Sequence, residues 1–155
     1  MIVVHYVVRG ILFVDGQVLL AHQLGADNTF LPGRYIEPGE RATTALVREL
    51  EEELGAKPTV KRFVGAVEYR WADDAQDNHE LNLLFEVAVP GLSPDAAPCS
   101  LEPHLEFIWS TPEDLVDRNL QPAPLIDSLR HWTEGYSGYW GTWSPLDPQT
   151  TEDGR

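Results

Sequence analysis

Apolar and β-branched residues fill positions 2–14 and 17–23, and the two runs are separated only by Asp15 and Gly16. An Asp-Gly pair between strand-like runs signals a two-residue hairpin. The nearly unbroken apolar character predicts strands covered on both faces. His22 and Gln23 close the second run, and Asp27 and Asn28 follow in a polar loop, either a plain turn or one that reaches a ligand. The period then changes. At about 100° per residue Leu46, Leu50 and Leu54 share one arc, with Thr43 and Val47 at its edge, which predicts a helix over 40–54. Gly55 suits the left-handed position that ends it. Residues 59–71 predict a strand, 72–78 a polar turn, and 81–89 another strand. In that last strand Leu81, Leu83, Phe85 and Val87 face one way, and Glu80, Asn82, Leu84 and Glu86 the other. Four prolines and a glycine in 90–103 predict a loop. A short final strand at 106–109 precedes a helix opened by Thr111 as N-cap and Pro112 at its first position. A second helix spans 124–132, with Leu125, Ile126 and Leu129 inward. Tyr136, Tyr139, Trp140 and Trp143 then stand among glycines, where they cover the domain, join a partner subunit or stack on a base.

The chain has 155 residues, enough for one domain with a full core. The expected division is a single domain over 1–145 and a flexible tail over 146–155. The net charge of -14 argues against binding long nucleic acid, which needs a basic face, but leaves room for a small polyphosphate partnered by metal. Cys99 is the single cysteine, which excludes an internal disulfide framework and suits a reducing compartment such as the cytoplasm. His5 and Arg9 interrupt the apolar N-terminus, which is also shorter than the roughly 20 residues of a membrane span. No Cys/His pattern suggests zinc.

On the predicted helix, Glu49, Glu52 and Glu53 fall on the arc beside the leucines, and Glu51 points almost oppositely. Carboxylates at this spacing repel one another, and they sit in the last turns, where the helix dipole favours cations. Each effect costs between a few tenths and about 1 kcal/mol at an exposed site. A bound hard cation would reverse both, because Mg²⁺ takes carboxylate oxygens. An ordinary acidic solvated face is the competing reading.

The surrounding residues decide between them. The segment LPGRYIEPGERATTALVRELEEELG, residues 31–55, resembles the signature of the Nudix hydrolases, G-x5-E-x7-R-E-U-x-E-E-x-G-U, where U is aliphatic. Glu40 takes the first glutamate position. Arg48, Glu49, Leu50, Glu52, Glu53, Gly55 and Ala56 follow without a gap. The opening glycine alone departs: Arg34 stands there, beside Gly33.

The resemblance implies an α/β architecture, the Nudix fold, with a mixed sheet between helices. It also implies hydrolysis of a nucleoside diphosphate linked to another group. By the same resemblance Glu49, Glu52 and Glu53 hold Mg²⁺, or Mn²⁺ in its place, and Glu53 or Glu52 takes the proton of the attacking water. Arg48 orients these glutamates by ion pairing. Glu40 and Glu80 are candidates for an additional metal contact or base, with Glu102 and Glu106 as weaker rivals to Glu80. Glu37 belongs to an EPGE variant of the loop, and Tyr35 either packs beneath it or touches substrate. The implied partner is a small nucleotide. Nucleoside triphosphates, including oxidised ones as in MutT-like members, come first. ADP-ribose, dinucleoside polyphosphates and a non-catalytic nucleotide-binding module stay open, as does a homodimer.

Overall fold

The computed structural model describes residues 1–132 and 138–143. Tyr136 and the expected tail over 146–155 lie outside the described residues.

Strand β1 (Ile2–Ile11) lies at the heart of the fold. It pairs antiparallel with β4 (Gly33–Tyr35) and parallel with β6 (Asp77–Ala88). Strand β6 pairs antiparallel with β5 (Thr59–Ala72), and β5 parallel with β8 (Tyr139–Trp143). The result is a five-stranded mixed sheet in the order β4-β1-β6-β5-β8. A second, antiparallel sheet runs β2 (Phe13–Val14), β3 (Gln17–Gln23), β7 (Leu105–Ser110). Helix α1 (Ala42–Leu54) and helix α2 (Pro124–Arg130) complete the described elements, with a 3₁₀ turn at Pro112–Asp114.

Two cores result. Leu46 and Leu50 of α1 pack with Val8, Leu19, Val87 and Phe107. Leu125 and Leu129 of α2 pack with Ile11, Val18, Leu20, Val64 and Leu84. Consecutive residues of β3 therefore serve different cores, as the period-2 geometry of a strand requires. This is why its apolar run is unbroken.

Several expectations are corrected. Residues 2–14 do not form one strand: the chain leaves the first sheet at Leu12 and enters the second at Phe13, and the break is apolar throughout because Ile11 and Leu12 are buried and Phe13 and Val14 pack, partly buried, against the two cores. The hairpin at Asp15 and Gly16 does form, with φ of 49° and 77°. Helix α1 starts at Ala42, so Glu40 stands just before it, and Gly55 ends it at φ 71°. Strand β6 begins at Asp77, which places His79 and Glu80 inside the sheet. On β6 the side holding Asn78, Glu80, Asn82 and Leu84 is the more deeply buried one. Strand β5 shifts register twice against β6, so its apolar residues do not alternate strictly, and Phe63 ends up exposed. Thr111 makes no side-chain cap, and only a 3₁₀ turn follows it. The last described strand is β8, carrying Tyr139 and Trp140; it lies against β5 at Gly65, where a Cβ would sit 2.1 Å from the Tyr139 carbonyl oxygen.

Candidate active site

Buried on α1 are Ala45, Leu46, Glu49, Leu50 and Glu53. At about 100° per residue these five fill one continuous arc with the two acids in its middle, and Glu52 falls just beyond its edge. The leucines seat the helix on the core, so the same rotation turns Glu49 and Glu53 inward. Their exposures are 7% and 6%, whereas the Glu52 side chain is 52% exposed. Leu54, expected on the core face, is only partly buried.

Glu49 and Glu53 line a cavity of about 260 Å³ together with Arg9, Gly33, Arg34, Tyr35, Glu102 and His104. The structure thus brings together two of the three helix acids and leaves Glu52 outside. Glu102, the weaker rival, faces this cavity; Glu80 faces another, and Glu106 bonds His22 at 2.7 Å. The loop bearing Glu102 is tied to the end of α1 by the Leu101 amide, which donates to the Glu53 carbonyl at 2.8 Å.

Arg48 sits outside the cavity and clamps the acids around it. Its Nε and Nη2 donate to the two oxygens of Glu40, each at 2.9 Å, and Nη1 donates to Glu49 at 2.8 Å. Glu52 lies 3.6 Å away and Glu37 4.0 Å. Arg48 holds the Glu40 carboxyl below the usual carboxylate range. Glu40, ahead of Glu49, pushes Arg48 above the ordinary arginine value. Glu40 is therefore engaged with the clamp, and Glu49 has one oxygen fixed by it.

Glu53 stands differently. Its Oε2 is buried and, among the described residues, has no hydrogen-bond partner. Burial, then the neighbouring Glu49 charge, pushes its carboxyl up to about 8, with Arg9 opposing. An orphaned buried oxygen among hard oxygen donors fits a divalent cation. As they stand, the described side chains offer no ready group of three His, Cys, Asp or Glu around one point.

Arg9 was not singled out as a site residue in the sequence, although a lone arginine inside a β-branched strand is a signal. Its Nη1 donates to the carbonyls of Gly33 at 2.8 Å and Leu31 at 3.1 Å, and its Nε to Asn82 at 3.3 Å. The guanidinium lies 5.2 Å from the Phe30 ring centre. Burial lowers its pKa from the ordinary arginine value, and Glu80 and Glu53 oppose that. Gly33 makes this approach possible: at φ 131° a Cβ would lie 2.1 Å from the Val8 carbonyl oxygen. The close backbone contact is thus made at Gly33, and Arg34 next to it faces the cavity.

Arg9, Gln23 and Phe30 are shared with a second cavity of about 400 Å³, lined further by Asn28, Tyr69, Trp71, Glu80, Asn82 and Gln121. Burial, then Glu80, raises the Tyr69 hydroxyl above its usual value. The cleft therefore has an acidic compartment against α1 and a polar, aromatic-walled one against β5 and β6. Tyr35 lines the first, with its ring 5.3 Å from that of His5.

The NUDIX domain model matches residues 4–134. The chain belongs to the NUDIX family. This NUDIX chain is 30% identical over 129 residues to the CTP pyrophosphohydrolase of Escherichia coli K12, covering 79% of this chain and 89% of that one. It is 35% identical over 89 residues to the ADP-ribose pyrophosphatase of Methanocaldococcus jannaschii, over 54% of this chain and only 50% of that relative. The chain thus aligns with about half the length of the archaeal protein. The crystal structure of a MutT protein from Bacillus halodurans matches with a TM-score of 0.66 at 20% identity, covering 90% of this chain and 89% of the other, which speaks to the fold. This NUDIX protein is a hydrolase of phosphoric anhydrides with the Nudix fold. Among the described residues no helix is long and apolar enough to cross a membrane.

Proposed function

We propose that this NUDIX protein is a Mg²⁺-dependent pyrophosphohydrolase of nucleoside triphosphates, releasing a nucleoside monophosphate and pyrophosphate. The observation that carries the reading is the meeting of Glu49 and Glu53 in one cavity, with a carboxylate oxygen of Glu53 left unpartnered. Glu49 and Glu53 would hold the ion, in a cavity that Glu102 also lines. Mg²⁺ or Mn²⁺ would screen the phosphate charge, act as a Lewis acid and lower the pKa of bound water.

The chain's own residues divide the remaining work. Arg48 fixes Glu49 from behind through its bond to Oε1. Arg34 and Arg9, both lining the cavity, supply positive charge toward the phosphates. As water forms its bond to the attacked phosphorus, the anhydride P–O bond breaks and pyrophosphate leaves with the bonding pair. The water's proton passes to a carboxylate; Glu53 faces the cavity and is our choice, whereas Glu52 faces solvent. Glu80 lines the adjoining cavity and is assigned no metal role.

Triphosphates are preferred over ADP-ribose because the pyrophosphohydrolase likeness runs through most of both chains, and the ADP-ribose pyrophosphatase likeness through half of its relative. The test is a panel of nucleoside triphosphates, 8-oxo nucleotides, ADP-ribose and dinucleoside polyphosphates with Mg²⁺, read by product chromatography. Monophosphate plus pyrophosphate from triphosphates supports the proposal. AMP and ribose phosphate from ADP-ribose, with triphosphates untouched, would replace it.

A further inference from the structure

Asn78 is 1% exposed on β6, the strand between β1 and β5. Burying an amide is costly unless it is hydrogen-bonded, and both ends of this one are engaged. Its Nδ2 donates to Asp73 at 3.3 Å and to the Gln76 carbonyl at 3.4 Å. Asp73 is itself held by the Ala75 and Gln76 amides, each at 2.9 Å. With the nitrogen so placed, the Asn78 oxygen faces His5 and accepts from its Nε2 at 2.8 Å. The turn after β5 thereby sets which His5 nitrogen carries the proton and how the ring is oriented.

His5 then stands between two rings. Its plane lies 6° from that of Trp71, with centres 6.2 Å apart, and 33° from that of Tyr35, with centres 5.3 Å apart. Tyr35 lines the compartment that holds Glu49 and Glu53, Trp71 lines the adjoining one, and His5 lines neither. Trp71 is the last residue but one of β5, where the strand runs into its turn. Among the described residues no hydrogen bond ties its indole N–H, so packing alone places the ring. Ring pairs with centres about 4.5–7 Å apart are favourable beyond the area they bury. Val3 and Val7, the neighbours of His5 on the same face of β1, could offer neither the N–H for Asn78 nor a flat face for Trp71.

We propose that His5 is a positioning residue: locked to Asn78 and braced by Tyr35, it holds the Trp71 ring as a wall of the second compartment and so sets the affinity for the planar part of the nucleotide. The proposal rests on reading the cavity beneath α1 as the phosphate site, which leaves the adjoining one for the rest of the substrate.

A double-mutant cycle tests it, with His5→Gln, Trp71→Ala and the two together. Glutamine keeps an amide N–H for Asn78 and removes only the ring. KM and kcat are measured with Mg²⁺ on the substrate of the panel above that wild type cleaves best. The affinity of its nucleoside monophosphate product is measured without metal, by calorimetry. Neither KM nor Kd depends on what fraction of a preparation is folded. His5→Gln should raise KM and Kd about fivefold and leave kcat within about twofold. Trp71→Ala should raise both about tenfold, and the double variant should match it within about twofold, because His5 acts only through that ring. A His5→Gln protein with wild-type KM and Kd overturns the proposal. So does a double variant in which the two effects multiply to about fiftyfold, or a loss in kcat with KM unchanged, the behaviour of a residue that only supports the fold. If ADP-ribose is cleaved, triphosphates are untouched and the cycle keeps its non-additive pattern, His5 retains its role and the triphosphate reading falls.

Discussion

The buried acids of α1 and the buried polar stripe of β6 meet at Arg9 and line adjoining compartments of one cleft, yet they are held in different ways. On α1 the charge is clamped from outside. Arg48 binds Glu40 and one oxygen of Glu49, and a Glu53 oxygen is left buried and unpartnered. On β6 the polar groups are mostly placed by neutral amide and imidazole contacts, with Arg9 the one cation among the described residues that hydrogen-bonds to them. The first arrangement leaves a buried carboxylate oxygen with no bonded counter-charge and suits a metal with phosphates. The second lacks little charge and suits hydrogen-bond recognition. Two neighbouring compartments can therefore do different work because the counter-charges differ.

The sharpest way to break this comparison is to neutralise the inward acid and the outward one separately. Glu53→Gln should lower kcat for triphosphate hydrolysis by about a thousandfold while the circular dichroism spectrum stays native. Glu52→Gln should cost about tenfold or less, since its side chain is 52% exposed and merely lies 3.6 Å from Arg48. Equal losses would remove the distinction between them.

Next in size is the backbone that brings Arg9 and Arg34 to the cleft. Gly33→Ala puts a Cβ 2.1 Å from the Val8 carbonyl oxygen at a φ of 131°. Thermal or urea unfolding should show a loss on the order of 3 kcal/mol. Arg34→Gly, at the position where the family signature has glycine, should leave stability within about 0.5 kcal/mol and raise KM instead. The reverse pattern would mean that the loop depends on Arg34.

The smallest effect lies outside the cleft and serves as its control. The Ala26 carbonyl, then Glu106, raises the His22 pKa above its usual 6.5. A raised folded pKa means that the protonated form is stabilised in the native state. The contribution is complete below pH 6.5 and is lost as pH rises through the higher folded value. Because the Glu106 side chain is half-exposed and water screens the pair, it should be worth about 1 kcal/mol or less. Unfolding curves of wild type and His22→Gln should converge above neutral pH and separate slightly below it; separation that grows with pH would reverse the sign.

The same contrast explains what was readable in the sequence. The spacing of Glu40, Arg48, Glu49, Glu52 and Glu53 is local, one helix with its preceding loop, so both the family and the helix were legible. Which acids turn inward was not, because Glu52 lies only about 60° round the helix from Glu49 and the packing of Leu46 and Leu50 sets the rotation. On β6 the alternation gave the two faces correctly, but not which is covered. That depends on α2 and the loop at Gln121, both distant in sequence. The same non-locality hid the break at Leu12, where apolar residues on both sides pack against the cores, and the role of Arg9, whose partners lie 22 to 73 residues away.

Direct binding of Mn²⁺, followed by electron paramagnetic resonance on wild type, Glu49→Gln, Glu52→Gln and Glu53→Gln, isolates the cation from turnover. Wild type and Glu52→Gln should bind alike, and Glu49→Gln and Glu53→Gln should each lose affinity by about tenfold or more. Loss confined to Glu52→Gln, or four identical titrations, would contradict a cation site in the compartment beneath α1.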